Sequence, residues 1–521
     1  MIRSTVVILD FGSQYTQLIT RVVREQEVYS IQLPWDFSPD ALDGHDLSGI
    51  ILSGGPDSIY TPSAPRIPPH LLALNIPILG ICYGMQSLAD ELGGEIQAAP
   101  SREFGAAQLK VHRENPLIPE GAHKVWMSHG DRIITVPPGF QVLASTKNTP
   151  VAAMGDLERS LFGVQFHPEV KHTPIGTQII KNFLFKICKA EPIWTPENII
   201  QESVERIQAT VGRANVISAV SGGVDSSVAT ALVHRAVGDQ LEAVFVDTGL
   251  LRKKELEQVE SALKKVLAIN LHIIQAEDQF FHDLAGVTDP EEKRLIIGRR
   301  FIRIFEAKAR ALDNPEFLVQ GTIYPDVVES KAPDRASTDT IKTHHNVGGL
   351  PEEMDLKLVE PLRYLFKDEV RKIGRQLGLP AELLQRQPFP GPGLAIRCLG
   401  EVTRERIKRL QDADAIYLEE LARHNLLQFD KTDQGEHTGS SQAFAVLLPV
   451  KTVGVMGDQR TYEDVLALRA VTTDDFMTAD WSRFPPEVLA LISNRIVNEV
   501  PGVNRVVFDI TSKPPATIEW E

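Results

Sequence analysis

The sequence predicts an α/β protein with two doubly wound domains followed by a small C-terminal α+β domain. Three observations lead to this prediction. Short apolar runs bounded by Gly or Pro alternate with helical patterns, as in parallel sheets covered by helices. The 521 residues exceed one compact core and suggest about three domains of ~150 residues each. The C-terminal segment RVVFDITSKPPATIEWE alternates as strands do.

The first predicted domain comprises residues 1–192. The runs TVVILD, GIILSGG and IPILGICYG are short and β-branched, which is typical of buried parallel strands. MQSLADELGG follows as a helix that ends at glycine, and SLFGVQFHPEV is interpreted as a later strand. A Pro-rich linker then leads into a helix, with Thr195 as its N-cap and Pro196 in its first turn.

The second predicted domain comprises residues 193–395, and the third comprises residues 396–521. NVISAV, LEAVFVDTG, LHIIQA and EFLVQGT are predicted strands, and SSVATALVHRAVG and RKKELEQVESALKKVL are predicted helices. This alternation indicates a second doubly wound parallel sheet. No internal repeat and no low-complexity segment interrupts the chain.

Composition excludes several classes of function. The formal net charge is −15 and no basic tract is present, which argues against nucleic acid as the main partner. The sequence contains no run of about 18 apolar residues, so no membrane span is predicted. The N-terminus already has the pattern of a strand rather than that of a signal peptide. The three cysteines, Cys82, Cys188 and Cys398, lie far apart, so we expect no disulfide framework and a reducing, cytoplasmic location.

The segment Gly80–Gly84 has the pattern of a nucleophile elbow with cysteine in place of serine. The sharp turn crowds the backbone, and small residues stand on both sides of Cys82. A helix N-terminus behind Cys82 favours its thiolate, and the backbone N–H of Tyr83 is then placed to hold an oxyanion. A second oxyanion donor is expected from SGGP, where Gly54 and Gly55 permit close approach of the backbone.

QFHPEV adds a base and an orienting carboxylate to the cysteine. His167 and Glu169 are two residues apart on a predicted strand, so their side chains should point the same way. A carboxylate beside an imidazole fixes its tautomer and supports the imidazolium. Cys82, His167 and Glu169 are therefore the candidate catalytic triad. Taken alone, Cys82 also fits a buried structural cysteine, and His167 also fits a core histidine with its hydrogen bonds satisfied.

Four motifs, ILSGGP, GICYGMQ, SHGD and FHPEV, occur in this order over roughly residues 5–190. On these residues the first domain resembles the class I glutamine amidotransferases. The resemblance implies that Cys82 attacks the side-chain amide of glutamine, releasing ammonia through a glutamyl thioester. It also implies that Gln86 lies near the bound glutamine. Cys188 and Cys398 lack such a setting and are interpreted as structural.

The loop SGGVDSS follows a predicted strand and opens a predicted helix, which is a geometry that binds phosphate. It lacks the lysine of a Walker A loop. Glycines for close approach and serine hydroxyls suit a leaving pyrophosphate held with Mg²⁺ better than a transferred terminal phosphate. The candidate residues for binding ATP and pyrophosphate are Ser221, Gly222, Gly223, Val224, Asp225, Ser226 and Ser227.

This loop resembles the pyrophosphate loop of the N-type ATP pyrophosphatases, which have an adenine-nucleotide α-hydrolase-like fold. The resemblance implies adenylylation of a substrate oxygen, with Mg²⁺ accompanying ATP and Asp225 as a candidate ligand; no organic prosthetic group is expected. Asp247 ends the next predicted strand, where ligands collect on an open α/β sheet. It is a second candidate for nucleotide binding, and a helix-capping role explains it equally well.

Nearly the whole chain resembles the glutamine-hydrolysing GMP synthases. The segments that carry this resemblance are GTIYPDVVES, IKTHHNVGGLP, RQPFPGPGLAIR, GVMGDQRTY and ITSKPPATIEWE. The resemblance implies the substrates glutamine, ATP and xanthosine monophosphate (XMP), the products GMP, AMP, pyrophosphate and glutamate, and a homodimer formed through the C-terminal domain. The candidate XMP-binding and lid residues are Lys342, Arg397, Arg460 and Lys513.

Several of these assignments have ordinary alternatives. IKTHHNVGGLP fits a mobile lid over the second site or a plain surface loop. Lys513 fits a grip on the nucleotide 5′-phosphate or a solvated surface position. Arg294 fits a place near ATP or a charged helix face.

Two rival functions also fit parts of the sequence. Another amidotransferase synthetase would aminate a different acceptor, although asparagine synthetases use an N-terminal cysteine and this chain begins Met1-Ile2. Glutamine-dependent NAD synthetases carry a nitrilase-like glutaminase, without the cysteine elbow and the FHPE pair. A non-catalytic regulator would be expected to have lost Cys82, His167 or the serine loop, and all are present.

Overall fold

The computed structural model of the protein describes residues 4–312, 315–330, 356–427, 430–431, 437–456, 459–473, 476 and 478–521. The chain divides into two compact units, Met1–Asn198 and Ile199–Glu521. Within the described residues, no helix is both long and apolar enough to cross a membrane. The predicted boundaries at 192/193 and 395/396 remain predictions.

The first unit contains one large mixed sheet with flanking helices. Its strands are β1 (Ser4–Asp10), β2 (Tyr29–Pro34), β3 (Asp46–Leu52), β4 (Ile78–Ile81), β5 (Glu95–Val111), β6 (Ala122–Thr135), β7 (Gln141–Ser145), β8 (Ala153–Asp156) and β9 (Leu161–Val164). Its α-helices are α1 (Thr16–Arg24), α2 (Pro69–Leu72), α3 (Tyr83–Glu91) and α4 (Gly176–Lys181). The strand order is β2-β1-β3-β4-β9-β8-β7-β5-β6.

Strand β1 lies between β2 and β3 in the parallel part of this sheet and is buried on both faces. Val6 and Ile8 belong to one hydrophobic cluster, whereas Val7 and Leu9 belong to the cluster on the opposite side. Helices therefore cover both faces, as the continuous apolar run in the sequence predicts. The carboxyl ends of β1, β3 and β4 meet at one edge of the sheet, where the GxCxG segment emerges.

Two features of the first unit differ from the prediction. The parallel strands continue into an antiparallel extension of β8, β7, β5 and β6, which was not predicted. The predicted strand SLFGVQFHPEV ends at Val164, so His167 and Glu169 lie in the turn that follows it. Period-two alternation consequently does not explain why these two side chains meet.

The second unit begins with alternating strands and helices. Its strands are β10 (Val216–Val220), β11 (Leu241–Asp247), β12 (Asn270–Gln275), β13 (Phe317–Val319) and β14 (Lys357–Val359). The helices through this part of the chain are α5 (Pro196–Val211), α6 (Val224–Val237), α7 (Glu255–Glu260), α8 (Glu277–Asp283), α9 (Pro290–Ala311), α10 (Tyr324–Ser330), α11 (Lys367–Gln376) and α12 (Ala381–Leu384).

All described pairs in this sheet are parallel, in the order β12-β11-β10-β13-β14. The order reverses between β10 and β13, and such a switch point is where open α/β sheets bind ligands. The predicted second doubly wound sheet is confirmed.

The C-terminal part adds helices α13 (Arg404–Arg423) and α14 (Pro486–Glu499) to further strands. The strands are β15 (Asp430–Lys431), β16 (His437–Thr438), β17 (Gln442–Met456), β18 (Gln459–Thr472), β19 (Asp480–Trp481) and β20 (Val503–Asp509). β17, β18 and β19 pair antiparallel, and β20 adds to β18 in parallel. Of the predicted C-terminal strand pattern, only the part up to Asp509 is a strand; Lys513 forms an isolated bridge with Ala479.

One hydrophobic cluster connects the parallel sheet of the second unit with the C-terminal sheet. It includes Ile217 of β10, Val244 of β11, Leu410 of α13 and Leu466 of β18, all fully buried. The two sheets therefore share a core, which explains why they form a single compact unit.

Candidate active sites

Cys82 lies at a sharp turn between β4 and α3 with φ at 52° and ψ at −107°. A β-carbon on Gly80 would lie 2.6 Å from the backbone oxygen of Gly84, and one on Gly84 would lie 2.5 Å from the backbone oxygen of Leu52. Both positions therefore exclude a side chain, as the elbow pattern predicts. Left-handed backbone at a non-glycine residue is strained, and such strain is concentrated at functional sites.

His167 and Glu169 form a buried pair beside the cysteine. The Nδ1 of His167 lies 2.7 Å from Oε1 of Glu169, and their side chains are 5% and 0% exposed. Thr173 holds the turn because its hydroxyl donates to the carbonyl of His167 at 2.7 Å. The Tyr15 ring meets the imidazole edge-to-face, with centroids 5.4 Å apart. The turn therefore brings together the base and carboxylate that the sequence predicts.

The surroundings of His167 favour its charged form. Burial lowers the pKa of His167, but hydrogen bonds with Cys82 and Glu169, together with their negative charges, outweigh burial and raise that pKa from 6.5 to about 11. An imidazolium held between a sulfur and a carboxylate is the partner that a nucleophilic thiolate needs.

The SGGP loop lines the other side of the elbow. A β-carbon on Gly54 would lie 3.4 Å from Cε1 of His167, and one on Gly55 would lie 3.0 Å from the carbonyl oxygen of Phe11. The Tyr83 hydroxyl donates to the carbonyl of Pro65 at 2.6 Å, which anchors the first residue of α3. The loop backbone therefore runs close to His167 and Tyr83, where the sequence predicts the second oxyanion donor.

Gln86 uses its amide within the protein. Its Nε2 donates to the carbonyl of Asp131 at 3.0 Å and to Oε1 of Gln165 at 3.1 Å. The Nε2 of Gln165 in turn contacts the Cys82 sulfur at 3.7 Å. Sequence reasoning missed Gln165; its place two residues before His167 in the QFHPEV motif is the signal that could have identified it.

The SGGVDSS loop connects β10 to α6 at the switch point of the second sheet. Gly222 has φ at 79°, a conformation that requires glycine. The Ser221 and Ser226 hydroxyls lie 3.0 Å apart, and that of Ser226 also donates to the carbonyl of Gly223 at 3.2 Å. A β-carbon on Gly321, which follows β13, would lie 3.1 Å from the Ser226 nitrogen. The segments that follow β10 and β13 therefore contact each other at the switch point.

The loop carries polar atoms that lack partners in the described structure. Oδ1 of Asp225 and the hydroxyl of Ser227 are buried without a hydrogen bond. Oδ2 of Asp225 forms an ion pair with Nζ of Lys367, at the start of α11, at 2.5 Å. Buried polar atoms normally have hydrogen-bond partners, so these two atoms are candidates for contact with a polar ligand.

Arg386 connects the SGGVDSS loop to Glu255 of α7. Its Nη1 donates to the carbonyl of Gly222 at 2.9 Å and pairs with Glu255 at 3.2 Å. Lys367 and Arg386 were both missed by sequence reasoning, because nothing local in their segments links them to a loop far away in the chain. Asp247 ends β11 as predicted, and its Oδ1 accepts from the N–H of Gly249 at 3.0 Å. This bond closes a turn and is not the helix N-cap considered as the alternative, because the next helix begins at Glu255 with Lys254 as its N-cap.

The candidate XMP-binding residues occupy three different settings. Arg397 is fully buried, with its Nε and Nη2 bound to Glu519 at 3.0 and 2.8 Å. Lys513 donates to the carbonyl of Phe476 at 2.8 Å, and Arg460 is exposed at the start of β18. Lys342 and the rest of IKTHHNVGGLP lie outside the described residues.

Arg294 lies at the C-terminal residue of the chain. Its Nη2 donates to the carbonyl of Glu521 at 2.7 Å, while the neighbouring Lys293 is fully buried and pairs with the Glu521 side chain at 2.6 Å. Arg294 is therefore buried rather than part of an exposed charged face, and its place near ATP stays a prediction.

Comparison with known families matches all three parts of the chain. Residues 7–187 match the family described as glutamine amidotransferase class-I. Residues 215–305 match the phosphoadenosine phosphosulfate reductase domain, and residues 430–520 match the GMP synthase C terminal domain. The predicted fold class is confirmed for the two α/β domains and the C-terminal domain.

Three relatives that match along the full length share one name. "GMP synthase [glutamine-hydrolyzing]" of Thermomicrobium roseum is 55% identical, over 99% of this chain and 96% of the relative. Its namesakes in Alkalilimnicola ehrlichii and Thermosipho africanus are 52% and 53% identical, over 99% of this chain and 98% and 100% of the relatives, respectively. With identities this high along the whole length, the chain belongs to the family of glutamine-hydrolysing GMP synthases.

Proposed function

We propose that this protein makes GMP from XMP, using ATP to activate the acceptor and glutamine to supply nitrogen. The observation that carries the proposal is the presence of both sites in one chain. An elbow cysteine lies beside the buried His167–Glu169 pair, and a loop without the Walker A lysine lies at the switch point of a second sheet.

At the first site, the Cys82 thiolate attacks the side-chain amide carbon of glutamine. The negative charge that develops on the amide oxygen is stabilised by backbone N–H groups of Tyr83 and Gly55. Protonated His167 gives its proton to the leaving nitrogen, and ammonia departs from a glutamyl thioester. Water activated by neutral His167 then hydrolyses the thioester to glutamate, and Glu169 holds the imidazole through both steps.

At the second site, the C2 oxygen of XMP attacks the α-phosphorus of ATP and pyrophosphate leaves. The SGGVDSS loop receives the pyrophosphate through its backbone N–H groups and hydroxyls. Lys367 supplies the positive charge that a Walker A loop carries within its own sequence, because its ammonium lies against Asp225 of the loop. Ammonia then attacks C2, and AMP departs with the former C2 oxygen.

Mg²⁺ is proposed to accompany ATP, and the loop fits such an ion. The carboxylate of Asp225 lies in the first turn of α6, and its Oδ1, which has no hydrogen-bond partner, is a hard oxygen atom of the kind that Mg²⁺ prefers. Mg²⁺ is usually held by one or two carboxylates together with substrate phosphates. Among the described residues, no group of three or more His, Cys, Asp or Glu could hold a metal ion. The ion would neutralise charge on the leaving pyrophosphate.

Roles in XMP binding are proposed for Lys513, Arg460 and Lys342. Lys513 presents a point charge that suits a 5′-phosphate. For Arg397 the proposal is weaker in physical terms, because two of its donors are already bound to Glu519.

Isotope transfer tests the chemistry directly. The protein is incubated with Mg²⁺, ATP, XMP labelled with ¹⁸O at C2, and glutamine labelled with ¹⁵N in its amide. We expect GMP with ¹⁵N at its amino group and AMP with ¹⁸O in its phosphate. Label in inorganic phosphate would instead show phosphoryl transfer, and absence of GMP with either glutamine or ammonium would show that the acceptor is wrong.

A further inference from the structure

A second buried histidine–carboxylate pair lies behind the glutaminase site. Nε2 of His129, on β6, is 3.6 Å from Oε2 of Glu103, on β5, and these side chains are 2% and 9% exposed. The Thr149 hydroxyl lies between them, 2.6 Å from Glu103 and 3.3 Å from His129. Thr146 also donates to the Glu103 carboxylate at 3.0 Å. A buried charge with this many partners is held in one geometry.

The tautomer of His129 follows from its other contact. Its Nδ1 lies 2.9 Å from the carbonyl oxygen of Asp131, which can only accept, so Nδ1 must carry the hydrogen. Burial lowers the pKa of His129 by more than the hydrogen bond to the Asp131 carbonyl and the charge of Glu103 raise it. The charge of His167 adds to the lowering. The Nδ1 hydrogen bond therefore holds the His129 ring in one orientation, with its donor fixed on the Asp131 carbonyl.

The same Asp131 carbonyl orients a chain of side-chain amides that ends on the catalytic sulfur. Gln86 donates one amide hydrogen to this carbonyl and the other to Oε1 of Gln165. With its oxygen committed as an acceptor, Gln165 must direct Nε2 toward the Cys82 sulfur, 3.7 Å away. Each amide can adopt only one orientation, because the first acceptor in the series has no hydrogen to give.

We propose that Glu103 and His129 are positioning residues for the glutaminase, which fix the Asp131 carbonyl and thereby aim the Gln165 amide hydrogen at Cys82. This inference rests on the proposed function of Cys82 as the nucleophile. In this arrangement the Gln165 N–H stabilises the thiolate, in addition to the imidazolium of His167. The pair acts two side chains away from the reacting atoms and touches no substrate.

His129 variants test the proposal because one of them retains the donor. His129→Leu removes the Nδ1 hydrogen, whereas the amide nitrogen of His129→Asn can occupy the same position. The pH dependence of Cys82 alkylation by iodoacetamide is followed by peptide mass spectrometry, alongside GMP formation with glutamine or ammonium. For His129→Leu we expect the pH of half-maximal alkylation to rise by about one unit. Below that pH, the fraction of Cys82 present as thiolate is then about tenfold lower than in the wild type.

The glutamine-dependent kcat should fall about tenfold in His129→Leu, whereas the ammonium-dependent rate and the KM for glutamine should stay the same. His129→Asn should recover most of both losses. A merely structural role would lower thermal stability without moving the alkylation profile, so an unchanged profile in folded His129→Leu would overturn the proposal.

Gln165→Leu keeps the test decisive if His129→Leu does not fold. It removes the last donor directly, so it must shift the alkylation profile at least as far; an unshifted profile also overturns the proposal. Wild-type protein in the same assay separates the two hypotheses. If wild type forms no GMP with glutamine, the proposed function fails; if it does and the variants match it, only the positioning role fails.

Discussion

Replacing Glu169 with glutamine tests how much the carboxylate contributes to the glutaminase site. Glu169→Gln keeps the size of the side chain but removes the charge that faces Nδ1 of His167 at 2.7 Å. The variant therefore separates the electrostatic role of the carboxylate from its packing. Both side chains are almost fully buried, so solvent screens the interaction little.

The magnitude follows from the cost of a charge-assisted hydrogen bond. Such a bond contributes roughly 1.5–3 kcal/mol, and a pKa unit corresponds to about 1.4 kcal/mol. The pKa of His167, raised to about 11 in the wild type, should fall by about one to two units in the variant. If the imidazolium that supports the thiolate weakens by the same free energy, glutamine-dependent turnover drops roughly 10- to 100-fold.

The stability of the first unit should change in a pH-dependent way. The folded pKa of His167 lies above its ordinary value of 6.5, so its contribution to stability is fully present below pH 6.5 and is lost as pH rises through about 11. The difference in free energy of unfolding between wild type and Glu169→Gln should therefore be largest at pH 6 and shrink at alkaline pH. Urea unfolding at several pH values measures this difference.

Initial rates of GMP formation with glutamine and with ammonium give the catalytic test. The ammonium-dependent rate should be unchanged, because it needs only the second site. Glu158→Gln, an exposed carboxylate of the same unit, is the matched control and should behave as wild type in both assays. A glutamine-dependent rate above half of wild type, or a parallel loss with ammonium, would refute the reasoning.

Four further predictions follow from the geometry. Gly84→Ala places a β-carbon 2.5 Å from the backbone oxygen of Leu52, so glutamine-dependent turnover should fall roughly 100-fold while the ammonium-dependent rate is retained. A glutamine-dependent rate equal to that of the wild type would contradict the tight turn at Cys82. Lys367→Ala should reduce GMP formation from both nitrogen sources roughly 100-fold, and an effect on glutamine alone would contradict its assignment to the second site. Arg397→Met should lower the free energy of unfolding by about 3 kcal/mol, measured in urea; loss of XMP affinity at unchanged stability would favour a ligand role. Burial raises the pKa of Cys188 well above its ordinary range and that of Cys398 to about 11. Iodoacetamide at pH 8 should therefore leave both cysteines unmodified, as measured by mass spectrometry, and modification of either would contradict its structural role.

The local motifs were predictable because each depends on residues that are consecutive in the sequence. The GxCxG elbow requires small residues on both sides of Cys82, and the structure shows why, since Gly80 and Gly84 each face backbone. The glycine-rich start of α6 likewise follows from the strand-to-helix pattern. The family shown by the full-length relatives agrees with the resemblance carried by these motifs.

The His167–Glu169 pair was expected for a reason that proved wrong. Alternation along a strand was to align the two side chains, but β9 ends at Val164 and the pair lies in a turn. The turn is held by Thr173 and by a backbone bond from His167 to the carbonyl of Trp126. Tertiary contacts replace the strand periodicity.

Other parts of the sites could not be predicted because they depend on long-range contacts. Gln165 contacts a sulfur 83 positions away, Lys367 pairs with a residue 142 positions away, and Arg386 binds a carbonyl 164 positions away. A single sequence contains no signal that links such positions. Arg397 shows the opposite problem, since an arginine in a distinctive motif indicates a ligand contact, whereas burial against Glu519 gives it a partner within the protein.

The most direct test of the account compares wild type with Cys82→Ala in ATP-dependent GMP formation from XMP. Each protein is assayed with glutamine and, separately, with an ammonium salt at the same pH. We predict that Cys82→Ala makes no GMP from glutamine but retains the wild-type rate with ammonium, which would assign the nitrogen-releasing and acceptor-activating steps to separate sites. GMP formation from glutamine by Cys82→Ala, or its loss with both nitrogen sources, would contradict the account.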